Sequence, residues 1–255
     1  MGRVSFDVTA DAYARFMGQF ADPLSVPFLD WADVDGAGRV LDVGCGPGTL
    51  TALLVRRFGP AAVSAIDPSA PFVAATRSRF PEVDVRSGAA EALPYDDDAF
   101  DAALAQLVVH FMVDPVAGLA EMGRVTRPGG VVAACVWDHA GGSGPLSTFW
   151  RAAHDLDPST PGESDLPGTR EGHLAELCEG AGLTEVQSSR LTVQVGFATY
   201  DDWWAPYTLG VGPAGSYVAG LTAEHRERLQ ARCVALLPAA PFHLEASAWA
   251  VRARA

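Results

Sequence analysis

The sequence contains no lysine, and all 18 basic residues among its 255 residues are arginine. Without a lysine amine, these residues cannot form a Schiff base with a substrate or supply the phosphate-binding lysine of a P-loop. The tyrosine–lysine pair of some dehydrogenases is excluded for the same reason. The chemistry of the chain must therefore rest on other side chains.

Cysteine pairs and long apolar runs are also missing. The four cysteines are far apart and form no C-x-x-C pair, so neither a zinc knuckle nor a disulfide framework is predicted. The histidines form no H-x-x-x-H or H-x-D pair, so we expect no metal. No run of 18 apolar residues and no leader of the charged-then-apolar kind occurs, which favours a soluble, cytoplasmic protein without a membrane partner.

The overall charge is strongly negative. The formal net charge is −13, and no basic cluster larger than Arg56-Arg57 is visible, which argues against a nucleic-acid partner. Apolar residues make up 49% of the chain, which is enough to build a full core. The length suits one α/β domain with an elaboration. The sequence does not indicate the oligomeric state.

The most informative segment is an apolar strand that runs into three alternating glycines. It reads Arg-Val-Leu-Asp-Val-Gly-Cys-Gly-Pro-Gly-Thr over residues 39–49, and an apolar helix over 50–58 follows. Such a turn lets the backbone approach a ligand closely at the carboxyl end of a parallel strand. Asp67 closes the next apolar run, about 20 residues on, where doubly wound folds place a carboxylate on ribose hydroxyls. The alternative is a turn that merely connects strand to helix.

The glycine spacing distinguishes among nucleosides. Dinucleotide sites read G-x-G-x-x-G, whereas this loop reads G-x-G-x-G, and Thr49 stands where the third glycine would be. Together with Leu41-Asp42, the loop resembles motif I of the class I S-adenosylmethionine-dependent methyltransferases. The resemblance is to their small-molecule branch, which includes the ubiquinone and menaquinone methyltransferases, and it covers roughly residues 38–198 and the final strand.

The rest of the chain alternates between strand and helix patterns, which predicts a doubly wound, Rossmann-like α/β fold. Strands are predicted at 38–44, 62–67, 83–87, 100–106, 130–137, 184–197 and 242–253. Helices are predicted at 49–58, 69–80, 115–126, 146–156, 170–180 and 222–237. The family resemblance implies a seven-stranded sheet in the order 3-2-1-4-5-7-6 with the last strand antiparallel. We expect one domain over 1–255, with an N-terminal lid at 1–36 and helical cap insertions at 140–168 and 199–241.

The resemblance also implies a set of cofactor contacts. Gly44, Cys45 and Gly46 would lie along the methionine part of S-adenosylmethionine, and Asp67 would accept hydrogen bonds from the ribose, with Pro68 beside the adenine. An aspartate in this position also commonly caps the following helix, so Asp67 has a structural alternative.

Three further segments resemble parts of the family's cofactor site. Residues 88–94, Gly-Ala-Ala-Glu-Ala-Leu-Pro, resemble its adenine loop, in which Ala90 and Glu91 would be contacts, although Ala89 replaces the usual carboxylate. Glu91 is alternatively a solvated loop charge. Gln106 would touch the methionine moiety through its backbone carbonyl. Tyr13 would close over the cofactor, or is one face of a packing helix.

His110 is the candidate general base, because it follows the fourth strand into the cleft and histidine titrates near neutrality. Its alternative is a polar residue that only lines the pocket. His139 follows the fifth strand and has the same two interpretations. Trp203, Trp204 and Tyr207 either wall a substrate pocket or fasten the cap to the core.

The predicted activity is methyl transfer from S-adenosylmethionine to a small-molecule acceptor in an enclosed pocket, with S-adenosylhomocysteine as the product. Two alternatives stay open. The first is a relative that keeps the cofactor loop but performs non-methylating chemistry or regulation. The second is a nicotinamide oxidoreductase, against which the glycine spacing and the missing lysine count. The sequence does not tell whether oxygen, nitrogen or carbon would be methylated.

Overall fold

A seven-stranded sheet forms the centre of the computed structural model, which describes residue 12 and residues 14–255. Tyr13 therefore lies outside the described residues. The strands are β1 Val40–Val43, β2 Val63–Asp67, β3 Asp84–Ser87, β4 Phe100–Gln106, β5 Thr126–Trp137, β6 Thr184–Phe197 and β7 Phe242–Arg254.

The strand order is β3-β2-β1-β4-β5-β7-β6, which confirms the predicted topology. β1 pairs in parallel with β2 and β4, and β4 pairs in parallel with β5. β7 runs antiparallel to both β5 and β6, so it is the reversed strand of this sheet. The carboxyl ends of the six parallel strands consequently meet at one edge, where open α/β sheets place their ligands.

Nine α-helices are described in residue 12 and residues 14–255. A π-helical turn at Ala14–Gly18 leads into the first of them. The helices are α1 Gln19–Ala32, α2 Thr49–Phe58, α3 Ala70–Arg79, α4 Pro115–Val125, α5 Ser147–Leu156, α6 His173–Gly180, α7 Tyr200–Trp204, α8 Gly212–Gly220 and α9 Ala223–Leu236. None of these described helices combines the length and the apolar character that a membrane span requires.

The central strands β1, β2, β4 and β5 are buried on both faces, which explains why they are largely apolar without a polar alternation, whereas the edge strand β6 is mostly exposed and alternates. Along β4, Ala102 and Leu104 pack into one core, and Ala103 and Ala105 pack into the other. Cys135 on β5 is fully buried in the first core. Helices cover each face, so the two cores together give the doubly wound architecture.

β5 begins four residues earlier than predicted. The segment 127–130, Arg-Pro-Gly-Gly, ends α4 at Val125 as expected, but the backbone stays extended and Thr126 pairs with Phe100. The register then shifts between Phe100 and Ala102. A proline and glycines stop a helix without preventing a bulged strand, which is why the pattern placed the boundary too late.

The cap at 199–241 contains three helices where only one was predicted. α7 is five residues long and begins with a capping box, in which the Thr199 hydroxyl accepts the Asp202 N–H and the Asp202 carboxylate accepts the Thr199 N–H. α8 contains three glycines and a proline, which are poor helix formers. Packing rather than intrinsic propensity therefore stabilises α8, and periodicity alone did not reveal it.

An aromatic cluster joins the two insertions to the lead segment. Phe149 of α5 stacks on Tyr207 with ring centroids 4.6 Å apart, and Phe16 meets the same tyrosine edge-on at 5.1 Å. Trp203 and Trp204 are both buried in the core around it. This packing favours the interpretation in which these aromatic residues fasten the cap to the core.

Candidate functional site

The glycine loop follows β1, and three of its residues have backbone angles in the left-handed region. The φ angles of Gly44, Gly46 and Gly48 are +70°, +53° and +90°, values that favour glycine. A β-carbon built on Gly44 would lie 2.4 Å from a methyl carbon of Val108, whereas one built on Gly46 would meet no atom within 4 Å. Internal packing therefore requires the first glycine, while the second faces open space.

Asp67 ties this loop to the end of β2. Its Oδ2 accepts the Gly46 N–H at 2.9 Å, and its Oδ1 accepts the Ser69 N–H at 2.8 Å. Burial raises the pKa of the Asp67 carboxyl, and these two backbone donors oppose the shift. The bond to Ser69, immediately before α3, matches the helix-start alternative. Each oxygen keeps a further lone pair, so the ribose contact stays a prediction.

The acidic residue within β1 has a structural partner. The Thr51 hydroxyl of α2 donates to Asp42 Oδ2 at 2.6 Å, and both side chains are buried. Burial raises the pKa of Asp42 to about 7, against the effect of that hydrogen bond. The pair connects the strand before the glycine loop to the helix after it and so fixes both ends of the loop.

The lead helix α1 is joined to the site by two hydrogen bonds. Gln106 Nε2 donates to the Ala21 carbonyl at 3.0 Å, and the Thr49 hydroxyl donates to Asp22 Oδ1 at 3.0 Å. The buried Gln106 Oε1 has no partner within the described chain. Gln106 thus stands at the end of β4 beside the glycine loop, with one acceptor unused.

The predicted adenine side is organised by Glu91. Its Oε1 accepts the N–H groups of Val113 and Asp114 at 2.7 and 3.3 Å, so this oxygen holds the loop that precedes α4. Ala90 is buried in the second core, and Pro68 is exposed next to Asp67. Glu91 therefore has a structural role that neither sequence interpretation described, and adenine contacts of these three residues stay predictions.

A cavity lies at the carboxyl edge of the sheet, next to the glycine loop. About 410 Å³ of space lies between the lining atoms, a figure that includes the part open to solvent. Its lining comes from the lead segment, the exits of β4 and β5, and both insertions: Phe16, Met17, Leu107, His110, Phe111, Trp137, His139, Leu146, Glu163, Val211, Gly212 and Pro213.

His110 contributes a neutral imidazole to this cavity. The side chain is buried, and its Nδ1 has no hydrogen-bond partner among residues 12 and 14–255. Burial, with a smaller contribution from His139, lowers the pKa of His110 well below its usual value. The two imidazole centroids are 6.1 Å apart, and burial lowers the pKa of His139 to about 4. Both rings are therefore uncharged at neutral pH.

Glu163 is a cavity residue that the sequence did not reveal. It is only 4% exposed, and one of its oxygens accepts the Trp150 Nε1–H at 2.7 Å. Burial raises the pKa of this carboxyl to about 7. It lies in a proline-, glycine-, serine- and aspartate-rich stretch that looks like an ordinary polar loop, so no periodicity or motif marked it.

The glycine loop suits a nucleoside. Within the described part of the chain, no three His, Cys, Asp or Glu side chains are grouped to hold a metal ion. The open space at Gly46 is the kind of feature that a polar organic ligand occupies. The residues present therefore fit S-adenosylmethionine along the glycine loop.

Comparison with known proteins gives consistent relatives. A family model described as a methyltransferase domain matches residues 41–134. An uncharacterized methyltransferase of Mycobacterium tuberculosis is 38% identical over 127 residues, or 50% of this chain and 49% of that protein. The chain spans about half the length of the first curated relatives that it matches.

Solved structures show the same fold. A methyltransferase of Thermotoga maritima superposes with a TM-score of 0.58 and 18% identity, covering 96% of this chain and 94% of that one. A phosphoethanolamine N-methyltransferase of Haemonchus contortus, solved with S-adenosylhomocysteine, gives 0.60 and 15%, covering 96% and 56%. At these identities the likeness shows the fold alone.

Proposed function

The chain belongs to the class I S-adenosylmethionine-dependent methyltransferases, and from that premise we propose that it transfers a methyl group to a small molecule. In this proposal, S-adenosylmethionine lies along the glycine loop, and the acceptor lies in the neighbouring cavity. S-adenosylhomocysteine is then the product that leaves the loop.

One observation carries the proposal. The segment that follows β4 serves both halves of the site, because Val108 packs over Gly44 while Leu107, His110 and Phe111 line the cavity. A nucleoside on the loop and a small molecule in the cavity would therefore be neighbours. Bringing two reactants into such contact is the main task of an enzyme whose cofactor is already activated.

The cofactor, when bound, supplies a methyl group activated by its sulfonium. The residues of the chain bind and orient the reactants. Gly46 leaves room for the ligand, and Asp67 holds the loop while offering its remaining lone pairs to the ribose. The aromatic cap covers part of the cavity, and the neutral His110 imidazole that lines it would take a proton from the acceptor.

Four more specific statements about the protein remain predictions. They are the kinship with the ubiquinone and menaquinone branch, the cytoplasmic location, the absence of a nucleic-acid partner and the enclosure of the acceptor. The acidic composition and the cap over the cavity support the last two. A product assay separates methyl transfer from the alternative of non-methylating chemistry or regulation on a retained cofactor loop.

The direct test is ligand binding. We expect S-adenosylmethionine and S-adenosylhomocysteine to raise the melting temperature, and NAD and NADP to leave it unchanged. A ligand present at about 100 times its Kd stabilises the folded state by about 2.7 kcal/mol. The melting temperature is measured by thermal unfolding with each ligand. If neither S-adenosylmethionine nor S-adenosylhomocysteine raised it, the proposed methyltransferase activity would be wrong.

His110→Gln tests the proton acceptor. We expect turnover of an acceptor found by a small-molecule screen to fall by about 10²–10⁴-fold, the usual contribution of general acid–base catalysis. The affinity for S-adenosylhomocysteine should stay within about threefold, because His110 lies on the acceptor side. Full turnover in the variant would reduce His110 to a lining residue.

A further inference from the structure

Among the residues that the structure describes, one carboxylate lines the acceptor cavity, and it has no positive partner. Glu163 lines the cavity, and its recorded side-chain hydrogen bond comes from the neutral Trp150 indole at 2.7 Å. It makes no ion pair within the described ranges. The whole Glu163 residue is 4% exposed, so water solvates this carboxylate poorly.

A buried carboxylate is costly unless a cation or several hydrogen bonds compensate it. One indole N–H satisfies only part of its acceptor capacity. No arginine lines the cavity within the described chain, and both of its imidazoles are neutral. The protein itself therefore supplies no compensating cation, and without one burial raises the pKa of Glu163 to about 7, so that the carboxylate form prevails only above that pH.

The remaining lining is of the kind that accepts an organic cation. Phe16, Phe111 and Trp137 present aromatic rings to the same cavity. An ammonium group is attracted to the face of such rings, and more strongly when water is excluded. Anionic molecules would instead meet the Glu163 carboxylate without an arginine to offset it.

We propose that the cavity binds an organic amine in its ammonium form, on an apolar or aromatic body, with Glu163 as the counter-charge. The inference rests on the proposed function in taking this cavity as the acceptor site, and it names the acceptor class. Because an ammonium nitrogen has no lone pair, the bound amine would first lose one proton to His110, the proposed proton acceptor, and its freed lone pair would then take the methyl group as S-adenosylhomocysteine leaves. A neutral alcohol of the same shape would fill the apolar space but would leave the carboxylate uncompensated. The amine class is therefore selected by charge rather than by shape.

Three probes that share a phenyl ring test the selection by charge. We would titrate phenethylamine, phenethyl alcohol and phenylacetate into the protein at about pH 8, where the amine is still mostly cationic. Calorimetry is run with saturating S-adenosylhomocysteine. A hydrogen bond to a charged group contributes about 1.5–3 kcal/mol, so the amine should bind about 10–100-fold tighter than the alcohol. Phenylacetate should bind most weakly.

Glu163→Gln identifies the residue responsible. The variant should lose the preference for amine over alcohol and keep the alcohol affinity within about threefold. Glu171→Gln is the matched control, because it removes the same charge from an exposed position that is absent from the cavity lining. The control should keep the full preference.

The outcomes separate this inference from the proposed function. Failure of S-adenosylhomocysteine to bind would overturn the proposed function. Normal binding of that nucleoside, combined with an alcohol that binds as tightly as the amine or with no binding of any probe, would overturn the amine inference alone. A Glu163→Gln variant that keeps the amine preference would do the same. If the Glu163→Gln variant does not fold, the amine and alcohol affinities of the unmodified protein still test the amine inference.

Discussion

Gly46→Val is expected to abolish binding of S-adenosylhomocysteine while leaving a folded protein. No atom lies within 4 Å of the position that a β-carbon would take at Gly46, so the valine side chain displaces ligand rather than protein. The φ of +53° adds about 1–3 kcal/mol of backbone strain, which lowers stability without unfolding an ordinary domain. Calorimetry should show a loss of affinity of more than about 100-fold.

Gly36→Val controls for the backbone strain. Gly36 has a φ of +90°, also has nothing within 4 Å of a built β-carbon, and lies between α1 and β1, away from the loop. Its valine variant should lose comparable stability in urea unfolding but should bind S-adenosylhomocysteine normally. If Gly46→Val bound the nucleoside within about threefold of the unmodified protein, the ligand would not lie along this loop.

Gly44→Ala is expected to destabilise the protein rather than to block the ligand directly. The new methyl group would lie 2.4 and 2.6 Å from the two methyl carbons of Val108. Overpacking costs about 1–3 kcal/mol, and the left-handed backbone adds about 1–2 kcal/mol for a residue other than glycine. Urea unfolding should therefore show a loss of about 2–5 kcal/mol.

Val108→Ala tests whether the contact with Val108 causes this loss of stability. Removing the two methyl groups relieves the closest contacts, so the double variant Gly44→Ala, Val108→Ala should be less destabilised than the sum of the two single variants. Residues in contact couple by about 0.5–3 kcal/mol in such cycles. Additive losses would show that strain at Gly44, and not the contact with Val108, sets the requirement for glycine.

The sheet was predictable because its signals are local and repeated. β1, β2 and β4 are buried, largely apolar runs, and each is followed by a helix with recognisable boundaries, as at Pro115, where α4 begins. The position of the reversed strand came from the family resemblance rather than from the pattern. The cap helices α7 and α8 were missed because tertiary packing, not periodicity, holds them together.

The site was predictable only where the backbone needs a special residue. Glycines at positive φ and an aspartate at a strand end leave a mark in the sequence, so the sequence singled out Gly44, Gly46 and Asp67, whose cofactor contacts stay predictions. Glu163 reaches the cavity through the path of an irregular loop, and its significance depends on burial that the sequence does not encode locally. Glu91 shows the same limit, because its partners at 113 and 114 are set by the fold.

Helix α1 contacts the end of β4 and the start of α2. These contacts couple the docking of the lead segment to ligand binding at the glycine loop. Asp22 and Ala21 are fixed by Thr49 and Gln106, the residues that flank the proposed nucleoside position. Any ligand that stabilises those two residues also stabilises α1 in place, and linkage requires the effect to be reciprocal. Binding of the nucleoside and docking of α1 are therefore coupled equilibria. A substitution in α1 that weakens its docking can lower the affinity for the nucleoside even where the substituted residue does not contact the ligand.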